Sequence, residues 1–211
     1  MKRKHRIFLA LFFLAGFLLW TLLVLTLDVK PIGPRGSAVG FASLNGFFHK
    51  LTGVHMLLYT VTDWLGLVPI AVALGFALFG LFQWIRRRSI LKVDRSILAL
   101  GVFYLLVIAA YVVFEFVVIN RRPVLINGYL EASYPSSTTL LITTVMPTAL
   151  LQLYGRIKGK TVRRCAGLLI SAFIAFMVVG SLFSGVHWLS DIIGGLLLSG
   201  GLVLAYDASS Y

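Results

Sequence analysis

An ionisable pair stands in one of the most apolar stretches of the chain, "GSLFSGVHWLSDIIGG" at residues 180–195. His187 and Asp191 are four positions apart, a spacing that puts two side chains on one face of a helix. A carboxylate that accepts a hydrogen bond from one ring nitrogen leaves the other nitrogen available as a nucleophile or base. The pair is therefore a candidate catalytic dyad. The structural alternative is a polar contact that closes a helix bundle.

Two further segments carry groups that bind anions. Arg121 and Arg122 are adjacent and precede Pro123, and the planar guanidinium group suits a phosphate. "PSST" at 135–138 brings hydroxyls and free backbone N–H groups to a predicted helix start, where an anion can bind. The structural alternatives are a membrane-interface anchor for the arginines and an ordinary N-cap for the hydroxyl residues. The hydroxyl-bearing candidates are Ser136, Ser137 and Thr138.

The composition indicates an integral membrane protein. Of the 211 residues, 59% are hydrophobic and 12% charged, whereas about 25% are charged in soluble domains. The net charge is +12, but the basic residues form short clusters between apolar spans. This pattern favours contact with anionic lipid over nucleic acid. The single cysteine, Cys165, excludes an internal disulfide.

Six apolar stretches are long enough to cross a bilayer, which takes about 20 residues. The first is too long for the apolar region of a signal peptide and predicts a retained helix. Residues 41–50 predict a short interfacial helix in the first outer loop, with Phe41, Phe47 and Phe48 as its apolar contacts. We therefore predict an all-α fold, one bundle of six transmembrane helices over residues 1–211. The predicted spans are 7–27, 57–85, 96–119, 136–154, 165–184 and 188–206.

The basic residues between the spans predict the orientation of the bundle. Fourteen of the 19 lysines and arginines fall in segments 2–6, 86–95 and 156–164, and five fall in the other loops. The positive-inside rule then places both termini in the cytoplasm of a plasma membrane. Because successive spans run in opposite directions, we expect the three candidate segments to lie together on the outer face.

In this order, "RP", "PSST" and "HWLSD" resemble the motifs KxxxxxxRP, PSGH and SRxxxxxHxxxD of the type 2 phosphatidic-acid phosphatase superfamily. The resemblance covers residues 115–195 and implies a six-helix bacterial membrane protein that acts on lipid phosphates at the outer face. It implies that His187 attacks phosphorus to form a phosphohistidine, that Asp191 orients His187, and that Arg122 holds phosphate oxygens. It implies no metal and no other cofactor.

The chain departs from the family pattern at working positions. Glu115 stands at the lysine position, Ser137 at the glycine, and Thr138 at the histidine that protonates the leaving alcohol. Gly180 and Ser181 occupy the serine and arginine positions of the third motif. Loss of a general acid lowers a rate by about 10²–10⁴-fold. A polyprenyl diphosphate would therefore be the substrate least affected by the loss of the general acid, because its leaving group needs less protonation.

Two functions from different classes fit these residues. The first is a membrane lipid phosphate or polyprenyl diphosphate phosphatase that needs His187 for turnover. Arg121, His49, Lys50 and His55 are candidates to replace its missing groups. The alternative is a catalytically inactive family member that binds or transports lipid phosphates. A structural subunit of a membrane complex is a third hypothesis. Membrane lipids are the expected partners, and nucleic acid is not.

Overall fold

The computed structural model describes residues 3–210, so Lys2, one of the predicted inner basic residues, lies outside the described part. This part is built from α-helices and two single turns of 3₁₀ helix, Pro34–Gly36 and Ile90–Lys92, which confirms the predicted all-α class. The helices are α1 (Arg3–Thr26), α2 (Ala42–Thr52), α3 (Met56–Leu65), α4 (Leu67–Arg87), α5 (Arg95–Phe116), α6 (Ser137–Arg156), α7 (Lys160–Phe183) and α8 (Leu189–Ser210).

Five helical stretches between residues 3 and 210 are long and apolar enough to cross a membrane, and the chain is a multi-pass membrane protein. They are α1, α3 together with α4, α5, α7 and α8. The sixth predicted span coincides with α6, which is 20 residues long but rich in threonine. The buried hydroxyls of Thr143 and Thr148 donate to carbonyls one turn earlier, as threonine does inside a helix bundle. The count of six spans stays a prediction.

The second predicted span is two helices that meet at Gly66. The Gly66 N–H donates to the carbonyls of Thr62 and Asp63, at 2.9 and 3.0 Å, and closes α3. Pro69 lacks an N–H and fits the first turn of a helix, so α4 begins two residues before it. The break separates the short helix α3 from the long helix α4.

α1 and α8 pack against each other in opposite directions. Arg6 and Asp207 form an ion pair of 3.0 Å at one end, and Trp20 Nε1 donates to the Ser190 carbonyl at 3.0 Å near the other. Gly201 leaves room for α1, because a Cβ there would lie 2.7 Å from Leu14. The first and last helices therefore start and finish at the same end of the bundle. Which side of the membrane that end faces stays a prediction.

α2 matches the predicted helix in the first outer loop, although its position at a membrane interface stays a prediction. Phe47 is 63% exposed, but Phe41 stacks on Trp20 with ring centroids 4.8 Å apart and so packs against protein. The fully buried Asn45 holds α2 to the start of α8: its amide donates to Ser190 Oγ at 2.8 Å and accepts from Ser190 N at 3.1 Å.

Candidate active site

The segment between α5 and α6 forms a short hairpin whose turn is "NG". Asn127 and Gly128 have φ angles of 49° and 81°, and Ile126 and Tyr129 exchange backbone hydrogen bonds of 3.0 and 2.9 Å. Two successive positive φ angles are those of a type I′ turn, for which Asn-Gly is the preferred pair. The turn therefore folds residues 120–122 back against 131–133.

The register of this hairpin decides which side chains reach the site. Arg122 N donates to the Glu131 carbonyl at 3.1 Å, and Ser133 N donates to the Asn120 carbonyl at 2.9 Å. Alternate residues of an extended chain share a face. Asn120, Arg122, Glu131 and Ser133 therefore point to one side of the hairpin, and Arg121 to the other.

Arg121 directs its guanidinium away from this face, where Nη1 donates to the Leu130 carbonyl at 2.9 Å. Its own carbonyl accepts a hydrogen bond of 2.7 Å from Trp188 Nε1. Arg121 thus holds the hairpin to the residue that follows His187, and Nη1 of its guanidinium is bonded on the face opposite Arg122.

His187 lies in the turn between α7 and α8, before the first residue of α8. The predicted arrangement of both partners on one helical face is therefore not realised. Asp191 is in the first turn of α8, and its Oδ2 accepts from Trp188 N at 3.0 Å, the reach-back contact of a capping box. Asp191 is fully buried and His187 is 4% exposed.

Ser133 stands between the carboxylate and the ring. Its Oγ donates to Asp191 Oδ2 at 2.5 Å and lies 3.1 Å from His187 Nδ1. Asn120 Nδ2 donates to Asp191 Oδ1 at 3.0 Å. The contact that the spacing predicted between carboxylate and imidazole is thus mediated by a serine, because the turn holds His187 outside the helix that carries Asp191.

The other ring nitrogen, His187 Nε2, lies 3.4 Å from Arg122 Nη1. Burial, and next the Arg122 guanidinium, lower the pKa of His187 well below its usual range, while the contact with Ser133 acts in the opposite direction. A neutral imidazole keeps a lone pair on one nitrogen. The ring is therefore in the protonation state that a nucleophile requires.

The lowered pKa of His187 predicts a pH-dependent stability. An unfolded histidine binds its proton near pH 6.5, whereas the folded ring stays neutral below that value. The stabilisation is therefore complete above about pH 6.5 and falls as the pH drops below it, by at most about 1.4 kcal/mol per pH unit. We expect the unfolding temperature in detergent to fall between about pH 7 and about pH 5, and to fall less in His187→Gln. Equal slopes in both proteins would contradict this.

The turn that carries His187 depends on Gly185. Its φ is 70°, and a Cβ there would lie 2.0 Å from the Gly53 carbonyl oxygen. The neighbouring Ser184 carbonyl accepts from His55 N at 3.0 Å. The backbone after α2 therefore packs directly on the turn that carries His187.

Gly185→Ala is expected to destabilise the protein and to displace His187, because the added methyl group meets backbone that has little room to move. Gly36→Ala is the matched control, since Gly36 has a φ of 72° but open space around it. The control should lose only the left-handed conformational preference, about 1–2 kcal/mol. Thermal unfolding of the purified variants measures both effects. If Gly185→Ala lowered the unfolding temperature no more than Gly36→Ala does, the close approach of Gly185 to the Gly53 carbonyl would be unimportant for stability.

A polar pocket of about 180 Å³ opens beside these residues. It shares Tyr111, Ser137 and Leu140 with an apolar groove of about 1080 Å³ that runs between α4, α5 and α6. Thr138 lies on the wall of this groove. Polar and charged residues of the smaller pocket are Glu115, Arg122, Glu131, Ser133 and Ser137.

Ser136 is held by the fold itself. Its Oγ accepts from Thr139 N at 3.3 Å as the N-cap of α6, and its N–H donates to the Asp191 carbonyl at 3.0 Å. Gly194 and Gly195 allow this close approach, since a Cβ on Gly194 would lie 2.6 Å from the Tyr134 ring. The structure thus places Arg122 and Ser137 on the wall of one pocket, while Ser136 acts as a cap. His187 and Asp191 do not line this pocket and lie behind Arg122 and Ser133, which contact them.

Comparison with known proteins identifies the segment that carries this site. Residues 115–208 match the family model described as the PAP2 superfamily. This part of the chain belongs to the PAP2 superfamily. Its fold is similar to that of a crystal structure of the first transmembrane PAP2-type phosphatidylglycerolphosphate phosphatase from Bacillus subtilis. The match has a TM-score of 0.63 and 16% identity, and it covers 95% of this chain and 94% of the other. No curated protein matches the sequence significantly.

The PAP2 positions that depart from the family pattern have different surroundings. Glu115 is exposed at the end of α5 and lines the polar pocket. Gly180 packs against α3, where a Cβ would lie 2.8 Å from Thr62 Cγ2, and Ser181 is 2% exposed. The position of the family arginine is therefore inside a helix contact.

The segment between α1 and α3 contributes one ring near the candidate site. His49 lies against Trp188, with ring centroids 5.4 Å apart, and burial lowers the pKa of His49. His55 is exposed and its Nε2 contacts the Thr52 carbonyl at 2.9 Å; Lys50 is also exposed. Within residues 3–210, no three His, Cys, Asp or Glu side chains cluster closely enough to hold a metal ion.

Proposed function

We propose that this protein is a membrane lipid phosphatase in which His187 is the nucleophile and Arg122 binds the phosphate. The observation that carries the proposal is the placement of His187 Nε2 3.4 Å from Arg122 Nη1, with Ser133 on the opposite ring nitrogen. A neutral imidazole beside a guanidinium that faces a polar pocket is suited to attack a phosphorus whose oxygens the guanidinium holds. Membership of residues 115–208 in the PAP2 superfamily supports the same reaction.

The apolar groove supports a lipid as the substrate. It follows α4 from Leu67 to Trp84, a distance of about 25 Å at 1.5 Å per residue. This length approaches the hydrocarbon thickness of a bilayer, about 30 Å. Because the groove meets the polar pocket at Ser137, a lipid can place its chain in the groove and its phosphate beside Arg122.

The proposed reaction has two steps. In the first, the lone pair of His187 Nε2 bonds to phosphorus, the bond from phosphorus to the leaving oxygen breaks, and a phosphohistidine forms. In the second, a water oxygen bonds to phosphorus, the bond from phosphorus to His187 Nε2 breaks with its electron pair returning to the ring, and inorganic phosphate leaves with the water proton released to it or to solvent. Asp191 stays deeply buried, held by Asn120, Ser133 and the Trp188 N–H, and orients the ring through Ser133.

A polyprenyl diphosphate is the substrate class that fits the reduced motif set best. Thr138 has no ionisable proton to give to a leaving alcohol, and a phosphate leaving group leaves without one. We propose that the reaction needs no metal or other cofactor, and that the site lies on the outer face of a plasma membrane with both termini inside. The concentration of basic residues in segments 2–6, 86–95 and 156–164 supports this orientation.

The charges around Arg122 favour a second function, the binding or transport of lipid phosphates without turnover. Glu131 Oε2 lies 3.0 Å from Arg122 Nε, in an ion pair whose angle is not that of a hydrogen bond. Glu115 adds a second carboxylate to the same pocket. Both acidic groups reduce the net positive charge available beside Arg122 to stabilise a phosphoryl-transfer transition state.

Phosphate release by the purified protein separates these two functions. A panel of phosphatidic acid, phosphatidylglycerol phosphate and a polyprenyl diphosphate is presented in detergent micelles and in liposomes. We expect release that is fastest with the diphosphate and that requires His187. Absence of turnover on the whole panel, with lipid phosphate still bound through Arg122, would establish the binding protein instead.

A further inference from the structure

The hydroxyl of Ser133 contacts both members of the predicted dyad. Its Oγ is 2.5 Å from Asp191 Oδ2 and 3.1 Å from His187 Nδ1. Ser133 is 3% exposed, so bulk water does not compete for these contacts. The hairpin sets its position, because Ser133 N donates to the Asn120 carbonyl on the facing segment.

The donor and acceptor roles follow from the chemistry of the three groups. An ionised carboxylate only accepts hydrogen bonds, and a serine hydroxyl has one hydrogen to donate. Ser133 therefore gives its hydrogen to Asp191, at a length typical of a charge-assisted bond. Its oxygen is left with lone pairs only, so a hydrogen bond to His187 Nδ1 requires the hydrogen to be on Nδ1. A neutral ring with its hydrogen on Nδ1 has its lone pair on Nε2.

We propose that Ser133 is a positioning residue that transmits the orienting effect of Asp191 to His187 and selects the ring tautomer whose lone pair faces Arg122. The consequence for turnover rests on the proposed function, whereas the tautomer itself does not. The arrangement replaces the direct carboxylate contact that the spacing of His187 and Asp191 predicted. It also explains why a buried serine occupies the end of a loop that precedes a helix cap.

No proton moves along the hydrogen bonds that join Asp191, Ser133 and His187. When Nε2 bonds to phosphorus, the electron pair of the breaking bond leaves with the leaving oxygen, and the ring gains positive charge. The hydrogen on Nδ1 stays there and its bond to Ser133 Oγ shortens. The hydrogen of Ser133 stays directed at Asp191, whose negative charge makes Ser133 Oγ a better acceptor.

Nitrogen NMR of the ¹⁵N-histidine-labelled full chain measures the tautomer directly. The chain has 4 histidines, and the His187 signals are assigned by their loss in His187→Gln. At neutral pH we expect the wild-type protein to show a protonated Nδ1 and an unprotonated Nε2 on His187. Ser133→Ala should lose this preference, and Ser133→Thr, which keeps the hydroxyl, should restore it. A wild-type His187 with its hydrogen on Nε2 would overturn the proposal.

Ser190→Ala is the matched control. Ser190 is also fully buried and its hydroxyl lies 3.4 Å from Asp191 Oδ1, but its other contacts are Asn45 and Asn120 and not the His187 ring. We expect Ser190→Ala to keep the Nδ1 tautomer. A loss of the tautomer in Ser190→Ala equal to that in Ser133→Ala would assign the effect to general loosening around Asp191 and would overturn the proposal.

Kinetics give an independent readout. A histidine in the wrong tautomer cannot act as the nucleophile, so Ser133→Ala should lower kcat by about 10²–10³-fold. KM should change by less than about threefold, because the phosphate contacts are kept. Ser133→Thr should recover at least about a tenth of the wild-type kcat. Equal losses in the alanine and threonine variants, with the tautomer intact in both, would overturn the proposal. A wild-type protein without turnover would end the proposed function, and the NMR result would still decide the role of Ser133.

Discussion

His187→Gln is expected to abolish phosphate release, with kcat at least about 10⁴-fold below that of the wild-type protein. Glutamine approximates the length of the ring and can still hydrogen-bond to Ser133, but it has no nitrogen lone pair that can attack phosphorus. The buried cluster around Asp191 therefore stays filled, and the loss reports on chemistry rather than on folding.

Trapping the phosphoenzyme is the measurement that tests this nucleophile most directly. The wild-type protein, mixed with substrate labelled in the transferred phosphate and quenched with base, should carry one acid-labile label. His187→Gln should carry none. The matched control is His5→Gln, because His5 is exposed at the opposite end of the bundle. A label that persists in His187→Gln would assign the nucleophile to another residue.

Binding separates the inactive alternative from the enzyme. His187→Gln should still bind a lipid phosphate, because Arg122 and the groove along α4 are unchanged. If wild-type and variant protein bind equally and neither releases phosphate, the PAP2 fold serves here to hold lipids. In that case the buried contact between His187 and Ser133 is a structural one.

The sequence was enough to predict the apolar helices and the three segments that meet at the site. Apolar length identifies α1, α4, α5, α7 and α8, because a bilayer sets a minimum run of such residues. Apolar length identifies α6 less well, because a helix surrounded by other helices can carry threonines. The hydroxyls of Thr144 and Thr148 bond to the backbone of α6 itself. The break at Gly66 went unpredicted because α3 and α4 together form one continuous apolar stretch, Met56–Arg87.

The residues that sequence reasoning missed all depend on the hairpin. Asn120, Glu131 and Ser133 enter the site only because residues 120–122 pair with 131–133 in one register. The signal that could have found the hairpin, though not its register, is the "NG" pair at 127–128, a strong indication of a two-residue turn. Counting outward from that turn pairs Arg122 with Ser133, whereas the structure pairs Arg122 with Glu131, so the register shifts by two residues between the turn and the site. Arg121 and Arg122 then fall on opposite faces.

The His187–Asp191 contact shows a limit of spacing arguments. Four residues apart on a helix means one face, but a helix start between the two residues changes the geometry. Asp191 is used to close the first turn of α8, so its carboxylate is directed at the Trp188 N–H and at the hairpin. A bridging serine from another segment cannot be inferred from the motif that contains the pair.

Arg122→Gln is expected to lower kcat/KM by about 10²–10³-fold, the effect of removing a group that stabilises charge in a transition state. Arg122→Lys should recover only part of this loss, because an ammonium group keeps the charge but cannot hold two phosphate oxygens with one planar fork. Arg121→Gln is the matched control. Its guanidinium already donates to the Leu130 carbonyl on the other face of the hairpin, and its loss should change kcat/KM by less than about tenfold.

Glu131 must be included in the interpretation of Arg122→Gln, because removing the arginine leaves the Glu131 carboxylate beside the phosphate site without its partner. The Glu131 side chain is 39% exposed, so its pairing with Arg122 is partly screened by solvent.

We expect Glu131→Gln alone to improve phosphate binding severalfold. We expect the double variant, Glu131→Gln with Arg122→Gln, to be less impaired in kcat/KM than Arg122→Gln. A double variant as slow as the single one, together with weaker binding in Glu131→Gln, would mean that Glu131 helps to bind substrate instead of competing with it. The four kcat/KM values form one cycle, and its coupling energy measures how strongly Glu131 holds Arg122 away from phosphate.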